Sequence, residues 1–228
     1  MHFFDEVRVD GKSFADYCAL YESRRYRLDF TPAYIMDRNS RFLIHEWLGT
    51  DLVFIVVLRN PVRRAYSHYC HAKRNWLPGS DWVEKRGYPV ELLGFQEAIE
   101  AELSRIVFDP YHARHLSYFS KGLYWQQLRR WFEIFPRDRF ILLTLEDLTE
   151  NPSKALLPLE EKLGLGLNAD LLPRLNAQSD NALDTETYRW LWQRYEEEIT
   201  LVRDLLGIDI QPWIDDYERT TGKREAGI

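Results

Sequence analysis

Two runs of apolar residues predict strands in this chain of 228 residues. Residues 52–58 (LVFIVVL) show no polar alternation and are rich in β-branched side chains, which is typical of a strand buried on both faces of a parallel sheet. Residues 139–145 (RFILLTL) repeat this pattern. A helical pattern begins at Pro61, directly after the first strand, and proline favours the first turn of a helix. The order predicted here is strand, tight turn and helix.

Apolar residues recur at helical spacing in several other segments. We predict helices over residues 13–23, 61–75, 95–106, 124–135, 152–164 and 184–206. Two irregular stretches, residues 76–94 and 108–120, separate some of them. Because strands alternate with helices, the expected fold is α/β, with three layers in which helices cover both faces of a parallel sheet. Residues 1–228 are expected to form a single domain.

Composition narrows the classes of function. Hydrophobic residues make up 45% of the chain, so a packed globular core is expected, and a net charge of −6 disfavours a nucleic-acid partner. The longest apolar run is too short to span a bilayer, and no basic, apolar leader precedes it, so no membrane segment is expected. The two cysteines, Cys18 and Cys70, form no closely spaced pair, which favours a cytoplasmic location.

Residues 58–69 (LRNPVRRAYSHY) carry the pattern that points to chemistry. Arg59 would stand at the tip of the first strand, where open α/β sheets place ligands, and could make a two-pronged contact with a phosphate. Ser67 would add a hydroxyl from the helix, whose first N–H groups are expected to be unsatisfied and partly positive. Residues 52–80 contain five lysines or arginines and no acidic residue. The sequence therefore predicts an anion site.

The pattern Arg-Asn-Pro-x-x-Arg-x-x-Ser, residues 59–67, resembles the 3′-phosphate motif of the sulfotransferases that use 3′-phosphoadenosine 5′-phosphosulfate (PAPS). Four further blocks resemble the heparan-sulfate-like and bacterial branch in the expected order: His2-Phe3-Phe4-Asp5, Thr31-Pro32-Ala33-Tyr34, Gly122-Leu123-Tyr124 and Leu145-Glu146-Asp147-Leu148. The resemblance implies a fold like that of the P-loop nucleotide kinases. It also implies transfer of a sulfuryl group from PAPS to a hydroxyl or amine of a small-molecule or carbohydrate acceptor.

By the same resemblance, Arg59 and Ser67 would hold the 3′-phosphate of PAPS and of the product, adenosine 3′,5′-bisphosphate. Arg64 would brace the turn. The family's lysine-containing loop around the 5′-phosphosulfate, and the Lys-Glu pair that would supply the general base, have no counterpart in the sequence, so the resemblance implies an N-terminally truncated and inactive form that lacks about 30 residues. Asp29 stands where relatives often carry a lysine, and residues 176–182 are a weak match for the adenosine-covering loop.

Two rival interpretations remain open at this stage. The chain could be a non-catalytic relative that retains only the 3′-phosphate site, or a phosphotransferase of the same wider fold, which the absent lysine loop disfavours. No catalytic residue is assigned, and the oligomeric state is left undetermined.

Other candidate residues carry weaker predictions. The pairs His68 with His71 and His112 with His115 could bind a metal, but no third ligand has a suitable spacing, so no metal is predicted. Aromatic and basic residues at positions 73–88 could cover an acceptor or simply pack on the surface: Lys73, Arg74, Trp76, Trp82, Lys85, Arg86 and Tyr88. The run Glu196–Glu198 is expected to be a solvated helix face, and the aromatic stripe over residues 124–135 is expected to be core.

Overall fold

The structure is a computed structural model that describes residues 3–5, 11, 13–21, 26–108, 115–171 and 183–222. His2, His112 and residues 176–182, which the sequence singled out, lie outside the described residues. Internal contacts divide the chain into two compact units. Unit 1 comprises Met1–Val56 and Gln126–Ile141, and unit 2 comprises Val57–Trp125 and Leu142–Ile228. The single domain expected over residues 1–228 stays a prediction.

The described residues are mostly helical. The helices are α1 (Phe14–Ala19), α2 (Ser40–Leu48), α3 (Pro61–Asn75), α4 (Asp81–Glu84), α5 (Phe95–Glu100), α6 (Glu102–Phe108), α7 (Tyr124–Phe132), α8 (Leu145–Glu150), α9 (Pro152–Leu163), α10 (Thr185–Leu206) and α11 (Gln211–Thr221). Two strands, β1 (Phe54–Leu58) and β2 (Phe140–Thr144), pair in a parallel sheet. The predicted α/β class with a parallel sheet is confirmed, whereas the N-terminal truncation stays a prediction.

One face of β1 is more exposed than the sequence predicted for a strand buried on both faces. Ile55 and Val57 are 39% and 50% exposed, whereas Leu58 is 2% exposed. Side chains alternate between the two faces of a strand, so Ile55 and Val57 share a face. That face of β1 is therefore only partly covered, and the apolar run does not indicate full burial on both sides.

The helix boundaries that carry clear capping signals are confirmed. Asn151 and Asp184 cap the first turns of α9 and α10 through their side chains. Gly164 and Gly207 end the same helices in the left-handed conformation, which glycine adopts without a Cβ clash. The order of strand, tight turn and helix at β1 and α3 is also confirmed.

Other helices depart from the sequence prediction. The segment expected as one helix over residues 95–106 is divided at Ala101 into α5 and α6. In α6 the apolar side chain of Leu103 is 76% exposed, whereas the charged side chain of Glu102 is buried. The helices α2, α4, α8 and α11 were not predicted, and α4 lies in the stretch of residues 76–94 that was expected to be irregular. For α11 the signals were present, because Trp213 and Tyr217 are spaced by one helical turn and both are buried.

Unit 1 has an aromatic core. Its buried members are Phe3, Phe4, Tyr17, Tyr34, Leu43, Ile44, Trp131 and Phe135. The first residue of β1, Phe54, stacks on Phe140 of β2 with ring centroids 4.7 Å apart, and meets Phe135 edge-on at the same distance. Trp131 also donates a hydrogen bond from Nε1 to the carbonyl of Ile35, 3.2 Å away. The aromatic stripe on α7 is therefore core, as predicted.

Unit 2 is organised around α10. One face of this helix is buried, through Tyr188, Leu191, Trp192, Tyr195, Glu198, Ile199 and Val202. Helix α11 packs on it through aromatic side chains, with the ring centroids of Trp192 and Tyr217 4.9 Å apart. Every helix within the described ranges is too short or too polar to cross a membrane. Both cysteines are free thiols, and the cytoplasmic location expected from them stays a prediction.

Candidate functional site

The turn between β1 and α3 is held at its backbone on two sides. The hydroxyl of Tyr124 donates to the carbonyl oxygen of Arg59 at 2.7 Å. The amide of Asn60 donates to Oε1 of Glu146 at 2.9 Å, and Glu146 follows the carboxyl end of β2. Burial raises the pKa of Tyr124 to about 12, so this hydroxyl keeps its proton at neutral pH. The backbone at Arg59 is therefore fixed where the two parallel strands end.

Asn60 caps the helix that follows. Its Oδ1 accepts from the amides of Val62 at 3.0 Å and Arg63 at 3.3 Å, and its carbonyl accepts from the amide of Arg64. The expectation that the first N–H groups of this helix are unsatisfied is therefore wrong. The asparagine in the motif occupies these donors, and proline at position 61 has none. Any anion held here must be bound chiefly by side chains.

Arg59 and Ser67 are both partly exposed in the structure. Arg59 comes directly after the buried end of β1, and Ser67 lies two turns along α3. The Ser67 hydroxyl makes no hydrogen bond to the part of the chain that the structure describes, so it can donate to a ligand. The assignment of these two residues to a 3′-phosphate stays a prediction.

Arg63 and Arg64 of the motif contact distant parts of unit 2. Arg63 forms a two-pronged ion pair with Asp216 of α11, with Nε 2.8 Å from Oδ2 and Nη2 3.1 Å from Oδ1. Arg64 donates from Nη2 to the carbonyl of Tyr118, beside the carbonyl of Phe119 that accepts from Tyr195 at 2.7 Å. Arg64 thus braces the segment at residues 118–119, on which α3 packs, rather than the turn itself.

His68 follows Ser67 and faces the interior. Its ring lies edge-on to Tyr118, with centroids 4.9 Å apart, and burial lowers its pKa well below 6.5, assisted by the nearby charges of Lys121 and Arg64. Its Nδ1 has no hydrogen-bond partner among the described residues. In the described ranges no three His, Cys, Asp or Glu side chains come together as a metal ion would require.

The aromatic and basic residues at positions 73–88 divide into two groups. Trp76 is 5% exposed and Lys73 donates to the carbonyl of Glu91 at 3.2 Å, so both belong to the packed structure. Arg86 is exposed and stacks over Trp82, 4.4 Å from its ring centroid. The ring of Trp82 also packs against Tyr88, with centroids 5.2 Å apart, so the group that this cluster presents at the surface is the guanidinium of Arg86.

Sequence reasoning missed a buried carboxylate network in unit 2. Glu91 accepts a two-pronged contact from Arg105 at 2.6 and 2.8 Å, and also accepts from the hydroxyl of Tyr118 and the amide of Leu93, both at 3.0 Å. Burial alone would raise the pKa of Glu91, but the hydrogen bonds from Arg105 lower it overall. No periodic pattern surrounds Glu91, so the sequence carried no signal for it.

Two further buried carboxylates accept hydrogen bonds from the backbone near the start of α7. Glu102 accepts from the amides of Phe119 at 2.6 Å and Ser120 at 2.8 Å. Glu198 is 4% exposed and accepts from the amide of Trp125, in the first turn of α7. The expectation that Glu196–Glu198 is a solvated face is thus wrong for Glu198. Its spacing of three residues from Tyr195, on the buried face of α10, was the available signal.

Asp29 of unit 1, which stands where the resemblance leads one to expect a lysine, is also engaged. Its carboxylate accepts from the hydroxyls of Thr31 at 2.7 Å and Tyr34 at 3.0 Å. The oxygen of Tyr34 in turn accepts from the amides of Phe3 and Phe4. Burial raises the pKa of Tyr34, which keeps the phenol protonated. Asp29 therefore anchors the Thr-Pro-x-Tyr block.

Comparison with known proteins places this geometry in context. The family described as "Sulfotransferase domain" matches residues 43–186, more than half of the chain. Heparan sulfate glucosamine 3-O-sulfotransferase 6 of Homo sapiens is 28% identical over 173 residues, covering 72% of this chain and 43% of that protein. Heparan sulfate glucosamine 3-O-sulfotransferase 3B1 of Mus musculus is 26% identical over 167 residues, covering 72% and 38%.

A solved structure shares the fold. The crystal structure of a sulfotransferase from Alicyclobacillus acidocaldarius superposes with a TM-score of 0.58 at 21% sequence identity, and the match covers 79% of this chain and 64% of that one. The chain spans about two fifths of the length of the curated relatives that it matches. Residues 59–67 lie inside the region matched by the family, and α11 lies beyond it.

Proposed function

The chain belongs to the sulfotransferase domain family, and on that premise we propose that it binds PAPS through the 3′-phosphate, which Arg59 and Ser67 hold. The observation that supports this most is the placement of Arg59, which follows the buried end of a parallel strand on a backbone held by hydrogen bonds to Tyr124 and Glu146. A guanidinium at that position matches a phosphate in a two-pronged geometry.

The reaction of this family is sulfuryl transfer. The bond between sulfur and the 5′-phosphate oxygen breaks, a bond forms between sulfur and the acceptor oxygen, and the acceptor hydroxyl loses its proton. As in phosphoryl transfer, the protein mainly positions the partners and neutralises oxygens. Arg59 and Ser67 contribute to positioning by holding the far end of the nucleotide, and adenosine 3′,5′-bisphosphate is the product.

We propose that the chain also binds a hydroxyl-bearing carbohydrate, the class of acceptor that a catalytically complete relative would use. The names of the related proteins specify heparan sulfate glucosamine as what they act on. In this chain, the exposed guanidinium of Arg86, held over the ring of Trp82, offers a cation at the surface. Anionic sugars pair with such cations.

Transfer needs groups that the sequence does not provide. No segment of the 228 residues resembles the lysine-containing loop that would surround the 5′-phosphosulfate, and no candidate general base was found. We therefore propose that this chain binds the nucleotide without transferring sulfate, which also fits the second candidate, a non-catalytic relative that keeps the 3′-phosphate site. Incubation with sulfur-labelled PAPS and heparan sulfate should leave the acceptor unlabelled, and labelled acceptor would contradict this part of the proposal.

The test of the site is nucleotide affinity. Calorimetric titration of the chain with adenosine 3′,5′-bisphosphate should show binding that Arg59→Ala weakens by one to two decades, since a charge-assisted contact to phosphate contributes roughly 1.5–3 kcal/mol. Ser67→Ala should weaken binding less, because it removes one neutral hydroxyl.

The matched control is Arg74→Ala, which removes the same charge from the exposed last turn of α3. Its affinity should remain close to that of the unmodified chain. Equal losses in Arg59→Ala and Arg74→Ala would show that the nucleotide responds to overall charge and not to a site at Arg59.

A further inference from the structure

Asp216 of α11 is the meeting point of several hydrogen bonds at the start of α3. Its Oδ2 accepts from Nε of Arg63 at 2.8 Å, from the hydroxyl of Tyr188 at 2.7 Å and from Nδ2 of Asn60 at 3.2 Å. Its side chain is 19% exposed. Because α11 lies beyond residues 43–186, the region matched by the family does not include this contact.

These contacts fix which way the amide of Asn60 faces. A side-chain amide has one donor end and one acceptor end. Asp216 and Tyr188 accept from Nδ2 of Asn60, the latter at 2.9 Å, so Oδ1 must face the amides of Val62 and Arg63. The first turn of α3, and with it the residue that precedes Asn60, is thereby held in one conformation.

The same carboxylate also directs Arg63. The guanidinium pairs with both oxygens of Asp216, donates to the hydroxyl of Thr220 at 2.7 Å, and lies 4.8 Å from the ring centroid of Tyr188. The side chain of Arg63, in the first turn of α3, is therefore held against α11 by an opposite charge. Arg59 lies before this turn, directly after β1.

We propose that Asp216 is a positioning residue for the 3′-phosphate site, acting through Asn60 and Arg63 to hold the turn that presents Arg59. The inference rests on the proposed function. It assigns to α11, a helix outside the matched family region, a role in nucleotide binding without contact to the nucleotide.

The test compares two nucleotides on the same protein, adenosine 3′,5′-bisphosphate and adenosine 5′-monophosphate, which lacks the 3′-phosphate. In Asp216→Asn we expect about tenfold weaker binding of the bisphosphate and unchanged binding of the monophosphate. The substitution also removes a negative charge, which by itself would favour a phosphate. A loss selective for the bisphosphate therefore reports orientation and not charge.

The control Asp215→Asn makes the same charge change at the neighbouring exposed residue of α11, which accepts from Gln211 within the helix, and it should leave both affinities unchanged. A second variant, Tyr188→Phe, removes one donor to Asp216 while keeping the aromatic ring. It should shift the bisphosphate affinity in the same direction by about threefold, so the inference can be tested even if Asp216→Asn folds poorly.

Unchanged or tighter binding of the bisphosphate by Asp216→Asn would overturn the inference, as would equal losses for both nucleotides, which indicate a general structural role. If the unmodified chain binds both nucleotides equally, the 3′-phosphate site itself is wrong. The proposed function then fails first, and the inference fails with it.

Discussion

The two compact units bury different kinds of side chain. The buried polar residues of unit 1 are uncharged: Thr31, Ser40 and Gln127. Unit 2 contains all the fully buried carboxylates of the described residues, Glu91, Glu102 and Glu198. Unit 1 is held by aromatic contacts, whereas unit 2 combines apolar packing with buried charge.

Unit 2 buries carboxylates because each of them accepts hydrogen bonds from backbone amides. Glu91, Glu102 and Glu198 accept from backbone amides in irregular segments or at a helix start, where no regular ladder provides an acceptor. Each of these carboxylates therefore fixes the position of one backbone segment in unit 2. The energetic consequence is asymmetric, because removing an apolar side chain loses contacts, whereas removing a buried charge also leaves its partners unpaired.

The largest effect is expected from Glu91→Gln, which preserves size and removes the charge. The variant leaves Arg105 without its counter-charge and turns a donor toward it, so the free energy of unfolding should fall by about 3 kcal/mol. Phe135→Leu in unit 1 removes only apolar contact and should cost about 1.5 kcal/mol. Urea denaturation measures both.

The control for Glu91→Gln is Glu100→Gln, an exposed residue that accepts a single hydrogen bond from Gln96. It should leave the free energy of unfolding within about 0.5 kcal/mol of the original. If Glu91→Gln costs no more than Phe135→Leu, buried charge is not what distinguishes unit 2.

A smaller effect is expected at Gly122, where a Cβ would lie 2.6 Å from the hydroxyl oxygen of Tyr195 and 2.8 Å from its Cζ. The ring of Tyr195 is fully buried and cannot move aside. Gly122→Ala should therefore cost about 2 kcal/mol through overpacking. Gly166→Ala, where no atom lies within 4 Å of the added Cβ, should be neutral or slightly stabilising. Equal melting temperatures for the two variants would contradict the close packing described here.

The smallest effect concerns pH and His68. Burial lowers the pKa of His68 below its ordinary value of 6.5, so the folded state favours the neutral ring. The unfolded chain therefore binds the proton first as pH falls, and the stability that is fully present above about pH 6.5 is lost progressively below it, by at most about 1.4 kcal/mol per pH unit. His68→Gln should flatten this dependence when unfolding is measured in urea between about pH 7 and pH 5. The same slope in His68→Gln would assign the effect to other groups.

The features that could be predicted from the sequence are those set by neighbouring residues. Short-range signals were sufficient for β1, the start of α3, and the boundaries of α9 and α10, because caps and prolines act within a few residues. The helix cap formed by Asn60 was not predicted, although Asn60 is part of the motif. The first amides of a helix lack partners within the helix, but a capping side chain such as asparagine can accept from them.

The remaining features depend on contacts between distant parts of the chain. Asp216 is separated from Arg63 by 153 positions, and Glu102 from Phe119 by 17. Neither pair leaves a periodic trace in the sequence, since a single charged residue on a helix is usually solvated. The exposed face of β1 was missed for a related reason, because an apolar run reports hydrophobicity and not the presence of a covering element.

The most direct test of the central claim is a crystal structure of the chain with adenosine 3′,5′-bisphosphate. The proposed function predicts oxygens of the 3′-phosphate about 2.7–3.2 Å from the guanidinium of Arg59 and the hydroxyl of Ser67. The ion pair between Arg63 and Asp216 should remain closed in that complex. A nucleotide bound elsewhere, or bound with its 5′-phosphate at Arg59, would contradict the account.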